Sequence, residues 1–225
     1  MANIQMSNPP TSNGCQFCDE FAGGNANSFV AHYANDVASR TILEEDDFRV
    51  LPSLGQIVPG YLLLVPNRHH RAFADMSLEE LKVAEALKTS VTSQIRSAYG
   101  DPLFFEHGAR SSDSGGCGIS HAHLHVVPFP NEKDPVEVLT RSFPLDELSS
   151  LLDLKHIQPG RSYLYYESVR GDKYALYPPF IPSQYIRRLL ADALGAEAWD
   201  WRKFGREERL LTTLARTSQL LSAPR

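Results

Sequence analysis

Three histidines alternate along His121-Ala-His123-Leu-His125-Val-Val-Pro128. On an extended strand alternate side chains share one face, which predicts three imidazoles repeating at about 6.5–7 Å. Ala122, Leu124 and Val126 would then turn to the opposite face and a core. Near neutral pH an imidazole serves as a nucleophile, a proton carrier or a metal ligand. Histidine is a poor choice for merely decorating a strand, so the run reads as chemistry rather than a solvated face. Upstream, Cys15-Gln-Phe-Cys18 sets two thiols at a spacing open to redox chemistry, metal binding or simple burial. No second CxxC exists, so a four-ligand zinc site would need histidines: His69 or His70, and one of the three. Just before the histidines, Gly115-Gly116-Cys117-Gly118 lets backbone N–H groups approach an anion closely. Gly116, Cys117 and Gly118 are therefore candidate substrate contacts beside a candidate nucleophile.

Elements must hold these groups. Thr41 to Leu43 and Phe48 to Leu51 read as strands flanking the acidic turn Glu44-Glu45-Asp46-Asp47. Tyr61 to Val65 is an apolar run of strand length, expected to be buried on both faces. Ser77 to Tyr99 reads as a helix with a Ser77/Glu80 capping box, Gly100 as its stop, and a stripe of Leu78, Leu81, Ala84, Leu87, Val91 and Ile95. Leu103 to Glu106 and His121 to Val127 are strands. Helical pieces are expected near Asp134 to Thr140 and Leu145 to Leu152. A hairpin is expected from Ser162–Ser168 and Lys173–Tyr177, and helices at Pro182–Leu194 and Gly205–Leu221. The fold class is α+β, an antiparallel sheet with one long helix and a C-terminal α/β extension. Residues 1–14 read as a disordered start, 15–130 as the catalytic domain, and 131–225 as an extension packed on it.

The bulk composition narrows the setting. A hydrophobic fraction of 42% with 22% charged residues suits a globular chain, and a net charge of -5 argues against a polyanion-binding surface. No nucleic-acid partner of any strength is expected. No apolar run is long enough to span a bilayer. Met1 to Gly14 lacks the apolar core of a secretory leader, and three cysteines suit a reducing compartment. The expectation is a cytoplasmic protein without a membrane partner.

His121 to Val127 resembles the signature of the histidine-triad (HIT) superfamily, His-φ-His-φ-His-φ-φ with φ apolar. Cys15-Gln-Phe-Cys18, the segment Val58 to His69, the long helix and the Phe-Phe-Glu106-His107-Gly108 strand are similar, in order, to its zinc-bearing branch. The resemblance covers about residues 15–130. It implies His123 as the nucleophile toward the α-phosphorus of a nucleotide or nucleotide conjugate, through a nucleotidyl-histidine. It implies His125 as the group that bonds the phosphate or leaving oxygen. By similarity to galactose-1-phosphate uridylyltransferase-type sites, Cys15, Cys18, His69 and His121 would hold a structural Zn2+. Histidine rather than glutamine at the third position is associated with hydrolysis; a nucleotidyltransferase with the same intermediate, or a non-catalytic nucleotide-binding protein, is the alternative.

Departures from the pattern concern the substrate. Ser53 stands where relatives often carry Asp or Asn for ribose hydroxyls, and Tyr61 where they carry His. Glu106 falls where Asn is common near the phosphate, which requires it to be protonated, turned away or paired. Arg110 and Arg68 are the cations nearest in sequence. Beyond the resemblance, Tyr163, Tyr165 and Tyr166 with the helix from Ser183 would form a lid or specificity wall, or simply pack. Trp199-Asp200-Trp201-Arg202 would stack on a ligand or make a homodimer contact.

Overall fold

The computed structural model describes residues 14–33, 35–110, 118–197, 199–203 and 207–222. Two short helices, α1 (Gln16–Phe21) and α2 (Ser28–Tyr33), precede the strands β1 (Leu43–Glu45), β2 (Phe48–Pro52) and β3 (Leu62–Pro66). The long helix α3 (Leu78–Tyr99) leads to β4 (Pro102–Gly108) and β5 (Leu124–Pro128). Then follow α4 (Val136–Ser142), β6 (Leu145–Leu148), β7 (Tyr163–Glu167), β8 (Lys173–Leu176), α5 (Tyr185–Ala193) and α6 (Glu207–Ser222). The expected start at residues 1–13 and the positions Gly115, Gly116 and Cys117 lie outside the described residues.

The eight strands form one sheet in the order β1-β2-β3-β5-β4-β7-β8-β6, every neighbouring pair antiparallel. Strands from beyond residue 130 thus continue the sheet that carries the histidines, joined where β7 pairs with β4. Side chains alternate between two cores. Leu62, Leu64, Phe104, Leu124 and Val126 face α3, against its Leu81, Ala84, Leu87, Val91 and Ile95. Leu63, Val65, Phe105 and Val127 face the other way, covered by Phe17 of α1, Leu139 of α4 and Ile186 and Leu190 of α5. A strand covered on both faces needs an unbroken apolar run, which is why all of β3 is buried.

Local rules account for most boundaries. The Ser77 hydroxyl accepts from the Glu80 N–H, the Glu80 carboxylate accepts from the Ser77 N–H, and Gly100 closes α3 at φ 93°. Leu78, expected in the buried stripe, is 44% exposed, because it opens the helix before the stripe meets the sheet. The first hairpin is tighter than expected. Glu44 and Glu45 belong to β1, and only Asp46 and Asp47 turn, both at positive φ, a conformation Asp tolerates in two-residue hairpin loops. The expected helical piece at Leu145–Leu152 is instead the edge strand β6, followed by a 3₁₀ segment at Leu151–His156. Leu145 and Leu148 are three apart, as on a helix, but the ladder to Leu176 and Lys173 decides the outcome. His121 to Val127 is a regular strand only from Leu124. The Ala122 N–H leaves the ladder to bond the His70 carbonyl at 2.7 Å.

Candidate active site and metal centre

His121, His123 and His125 are all buried, yet only His125 sits on β5, opposite Phe105 of β4. The bent approach to the strand splits the three histidines between two directions. The His121 ring turns toward the N-terminal arm, and the His123 and His125 rings stay together with centroids 4.8 Å apart. Phe17 of α1 packs edge-on against both His121 and His123, at 5.6 and 5.5 Å.

His121 Nδ1 lies 3.4 Å from Cys15 Sγ and 3.6 Å from Cys18 Sγ, while His69 Nδ1 lies 3.4 Å from Cys18 Sγ. One ligand atom from each of Cys15, Cys18, His69 and His121 falls within 4.8 Å of all the others. A tetrahedral zinc with ordinary Zn–S and Zn–N bonds sets its S···N edges at about 3.6 Å. The donor set therefore fits such an ion in both chemistry and spacing. His121 Nε2–H donates to the Pro66 carbonyl at 2.9 Å, which leaves Nδ1 with the lone pair facing the sulfurs. Burial also favours the neutral ring, holding the His121 pKa down at about 4. Between the two upstream candidates the fold chooses His69. His70 Nε2 pairs with Glu80 Oε1 at 2.9 Å, at the start of α3. On such an ion, four protein ligands would leave no open position.

His123 Nδ1 lies 2.6 Å from the carbonyl of His121. A carbonyl only accepts, so Nδ1 carries the proton and, in the neutral ring, Nε2 carries the lone pair. His125 stacks on Phe105 at 4.1 Å and 8° between planes, and its Nδ1 lies 2.7 Å from the Tyr61 hydroxyl. Both rings open on a small cavity of about 30 Å3, whose lining includes Ser53, Arg40, Arg187 and Trp201. Such a space holds a water or two and not a nucleotide.

The remaining expected site residues divide sharply. Ser53 does line the cavity, but its hydroxyl already donates to the Leu54 carbonyl and accepts from Arg187 Nη1, each at 3.2 Å. Glu106 is a correction, since it lies on the opposite face of the sheet from His125. There its Oε1 accepts from the Phe73 N–H at 2.8 Å and its Oε2 from the Tyr163 hydroxyl at 2.6 Å. Burial is the largest influence on this carboxyl and raises its pKa to about 7. Alternation along β4 causes the placement: Phe105 and His107 face the histidines, Phe104 and Glu106 face α3. Gly118 is exposed at φ 84°, and a Cβ there would run into the Arg202 guanidinium. Gly116 and Cys117 lie outside the described residues.

The cations are also corrected. Arg68 is exposed, and Arg110 is bound to Asp75 at 2.6 Å and to the Gln158 carbonyl. The arginines beside the histidines are Arg40 and Arg187, 3% and 1% exposed. The three tyrosines of β7 form no lid. Tyr163, Tyr165 and Tyr166 are buried in the sheet and donate to Glu106, Glu167 and Asp134. Trp201, by contrast, does reach the cavity.

No family model matches the chain. No curated protein matches it in sequence. Among solved structures it is similar to a zinc-bound histidine triad family protein from Mycobacterium smegmatis, at 20% identity over 52% of this chain and 76% of that one, TM-score 0.37. It is similar to a HIT family hydrolase from Clostridium thermocellum, at 12% identity over 53% and 93%, TM-score 0.36. It is also similar to yeast Ap4A phosphorylase in complex with Ap4A, at 14% identity over 80% and 82%, TM-score 0.43. These are likenesses of fold.

Proposed function

We propose that this chain hydrolyses a nucleotide-type phosphoanhydride, phosphoester or phosphoramidate at the α-phosphorus, with His123 as the nucleophile. The observation that carries the reading is the 2.6 Å bond from His123 Nδ1–H to the His121 carbonyl, with His125 beside it. That bond fixes the tautomer and aims Nε2, so a neutral imidazole is positioned to attack without first losing a proton. Nε2 forms a bond to phosphorus, and the bond to the leaving oxygen, or to nitrogen in a phosphoramidate, breaks with its electron pair. His125, held by Tyr61, hydrogen-bonds that oxygen as it acquires charge. Water then attacks the phosphorus and gives up a proton to solvent, the P–N bond breaks, the pair returns to Nε2, and a nucleoside monophosphate leaves.

Cys15, Cys18, His69 and His121 are proposed to hold a structural Zn2+ that fastens the N-terminal arm to the chain just before His123. The ion supplies cross-linking only, and no step of the reaction runs through it. The reading is tested by turnover of adenylylated, guanylylated and uridylylated substrates. Monophosphate release is expected from wild type and is expected to fall by at least about a thousandfold in His123→Ala. Turnover unchanged in that variant contradicts the reading. Transfer to an added acceptor in preference to water replaces hydrolysis by nucleotidyl transfer.

A further inference from the structure

We infer that Arg187, supplied by α5 from outside the region that resembles the triad family, receives the phosphate group of the ligand in the histidine cavity. The inference rests on the proposed nucleotide reaction for its site and adds the group that recognises the anion. Two buried arginines line this cavity with His123 and His125, and their charges are met differently. Arg40 is clamped by Glu20 through two bonds of 2.8 Å and has its Nη1 on the Pro52 carbonyl. Arg187 forms no ion pair among the described residues, where ion pairs engage Arg40, Arg110 and Arg188. Its Nε donates to the Trp199 carbonyl at 3.0 Å, Nη1 to Ser53 Oγ at 3.2 Å, and Nη2 to the Gly55 carbonyl. The nearest acid in sequence, Asp192, faces Arg188 at 3.9 Å, and Asp200 is engaged by Gln184, the Arg202 N–H and Lys203.

A guanidinium keeps its charge when buried, and burying a charge without a counter-charge is costly. Three neutral acceptors and the Tyr61 ring, 5.1 Å from the guanidinium carbon, offset that cost only in part. Of the five N–H donors, three are engaged, leaving one on each terminal nitrogen. Two donors on one planar fork match two oxygens of a phosphate. A tether between α5 and the 53–55 loop would need the hydrogen bonds but not the permanent charge. The charge beside two histidines is what an anion uses.

The test compares wild type, Arg187→Met and Arg187→Lys, as full chains, by calorimetric titration. The probes are inorganic pyrophosphate, AMP, GMP and UMP, with the matching nucleosides as controls. Wild type is expected to bind pyrophosphate and to prefer a monophosphate over its nucleoside by tenfold or more. Arg187→Met is expected to lose that preference with nucleoside affinity unchanged; Arg187→Lys is expected to keep a reduced one, having charge without the fork. Should both variants fail to fold, the wild-type guanidinium NMR spectrum decides. Phosphate is expected to shift one buried arginine Nε–H signal and leave the Glu20-bound one in place.

An unchanged monophosphate preference in Arg187→Met, equal loss for nucleoside and monophosphate, or no phosphate-dependent binding by wild type overturns the proposal. So does a guanidinium spectrum indifferent to phosphate. Covalent labelling of His123 is scored separately. Labelling with phosphate preference retained in Arg187→Met sinks only this inference, whereas Arg187-dependent binding without labelling sinks only the reaction.

Discussion

At the level of single residues, the site depends on which nitrogen of each imidazole holds a proton. Two carbonyls, those of Pro66 and His121, set His121 and His123 to opposite tautomers, giving one ring Nδ1 and the other Nε2 as its basic atom. The Tyr61 hydroxyl on His125 is the third positioning contact. Tyr61→Phe removes one hydrogen bond to a buried ring, about 1–2 kcal/mol. Turnover is expected to fall roughly fivefold to thirtyfold, with little change in melting temperature or in substrate affinity; unaltered turnover would mean that Tyr61 only packs. The alternating histidines and the CxxC were legible because each is a compact pattern of chemically costly residue types. Tyr61 was visible only as a departure from the resemblance, and Arg187 only as part of a helix that would form a specificity wall or simply pack. Its partners Ser53 and Gly55 lie more than a hundred residues away in the chain, so no local pattern marks it.

At the level of elements, α3 and β4 show how local signals and tertiary context share the work. The capping box of α3 was readable because both partners lie within four residues. Ser77→Ala is expected to cost about 1 kcal/mol and to lower the melting temperature by roughly 2–4 °C, with turnover unchanged, as calorimetry and a rate assay would record. On β4, strand alternation explains why Glu106 serves the core behind the sheet rather than the substrate. Its carboxyl ionises at about 7 in the folded chain against an ordinary 4.5. A folded-state pKa raised in an acid means that folding takes up a proton between those values. The burden on stability is therefore absent below about pH 4.5, grows as pH rises, and is complete above about 7. It amounts to about 3 kcal/mol. Glu106→Gln mimics the protonated acid, so its melting temperature relative to wild type is expected to climb by roughly 5–10 °C between pH 5 and 8. A difference that stays flat over this range would place the carboxyl's ionisation elsewhere. The misreading of Leu145–Leu152 has a different origin from the misplaced Glu106, which came from the resemblance. Spacing suggested one geometry, and a distant partner strand imposed another.

At the level of the whole molecule, the chain closes over its own site from both ends. The N-terminal arm arrives through Cys15, Cys18 and Phe17, and the C-terminal segment through Arg187 and Trp201. The first closure was readable from the cysteines. The second was readable only as one of several alternatives for the helix from Ser183 and for Trp199 to Arg202, because residues beyond 130 carry ordinary amphipathic patterns whose place emerges only when β7 joins β4. If a zinc ion holds the arm, elemental analysis is expected to find about one per chain. Strong chelation or Cys15→Ser is then expected to lower the melting temperature and expose Phe17 to solvent. A chelated protein with unchanged melting would assign the cluster to buried thiols.

The central claim is a covalent bond at His123. It is tested most directly by intact-protein mass after brief mixing with the adenylylated, guanylylated and uridylylated substrates, quenched at alkaline pH, where a phosphoramidate survives. Wild type is predicted to gain one nucleotidyl group from at least one substrate, and His123→Ala, still folded, to gain none. An adduct that persists in His123→Ala, or monophosphate release from wild type with no adduct at any mixing time, would contradict the account.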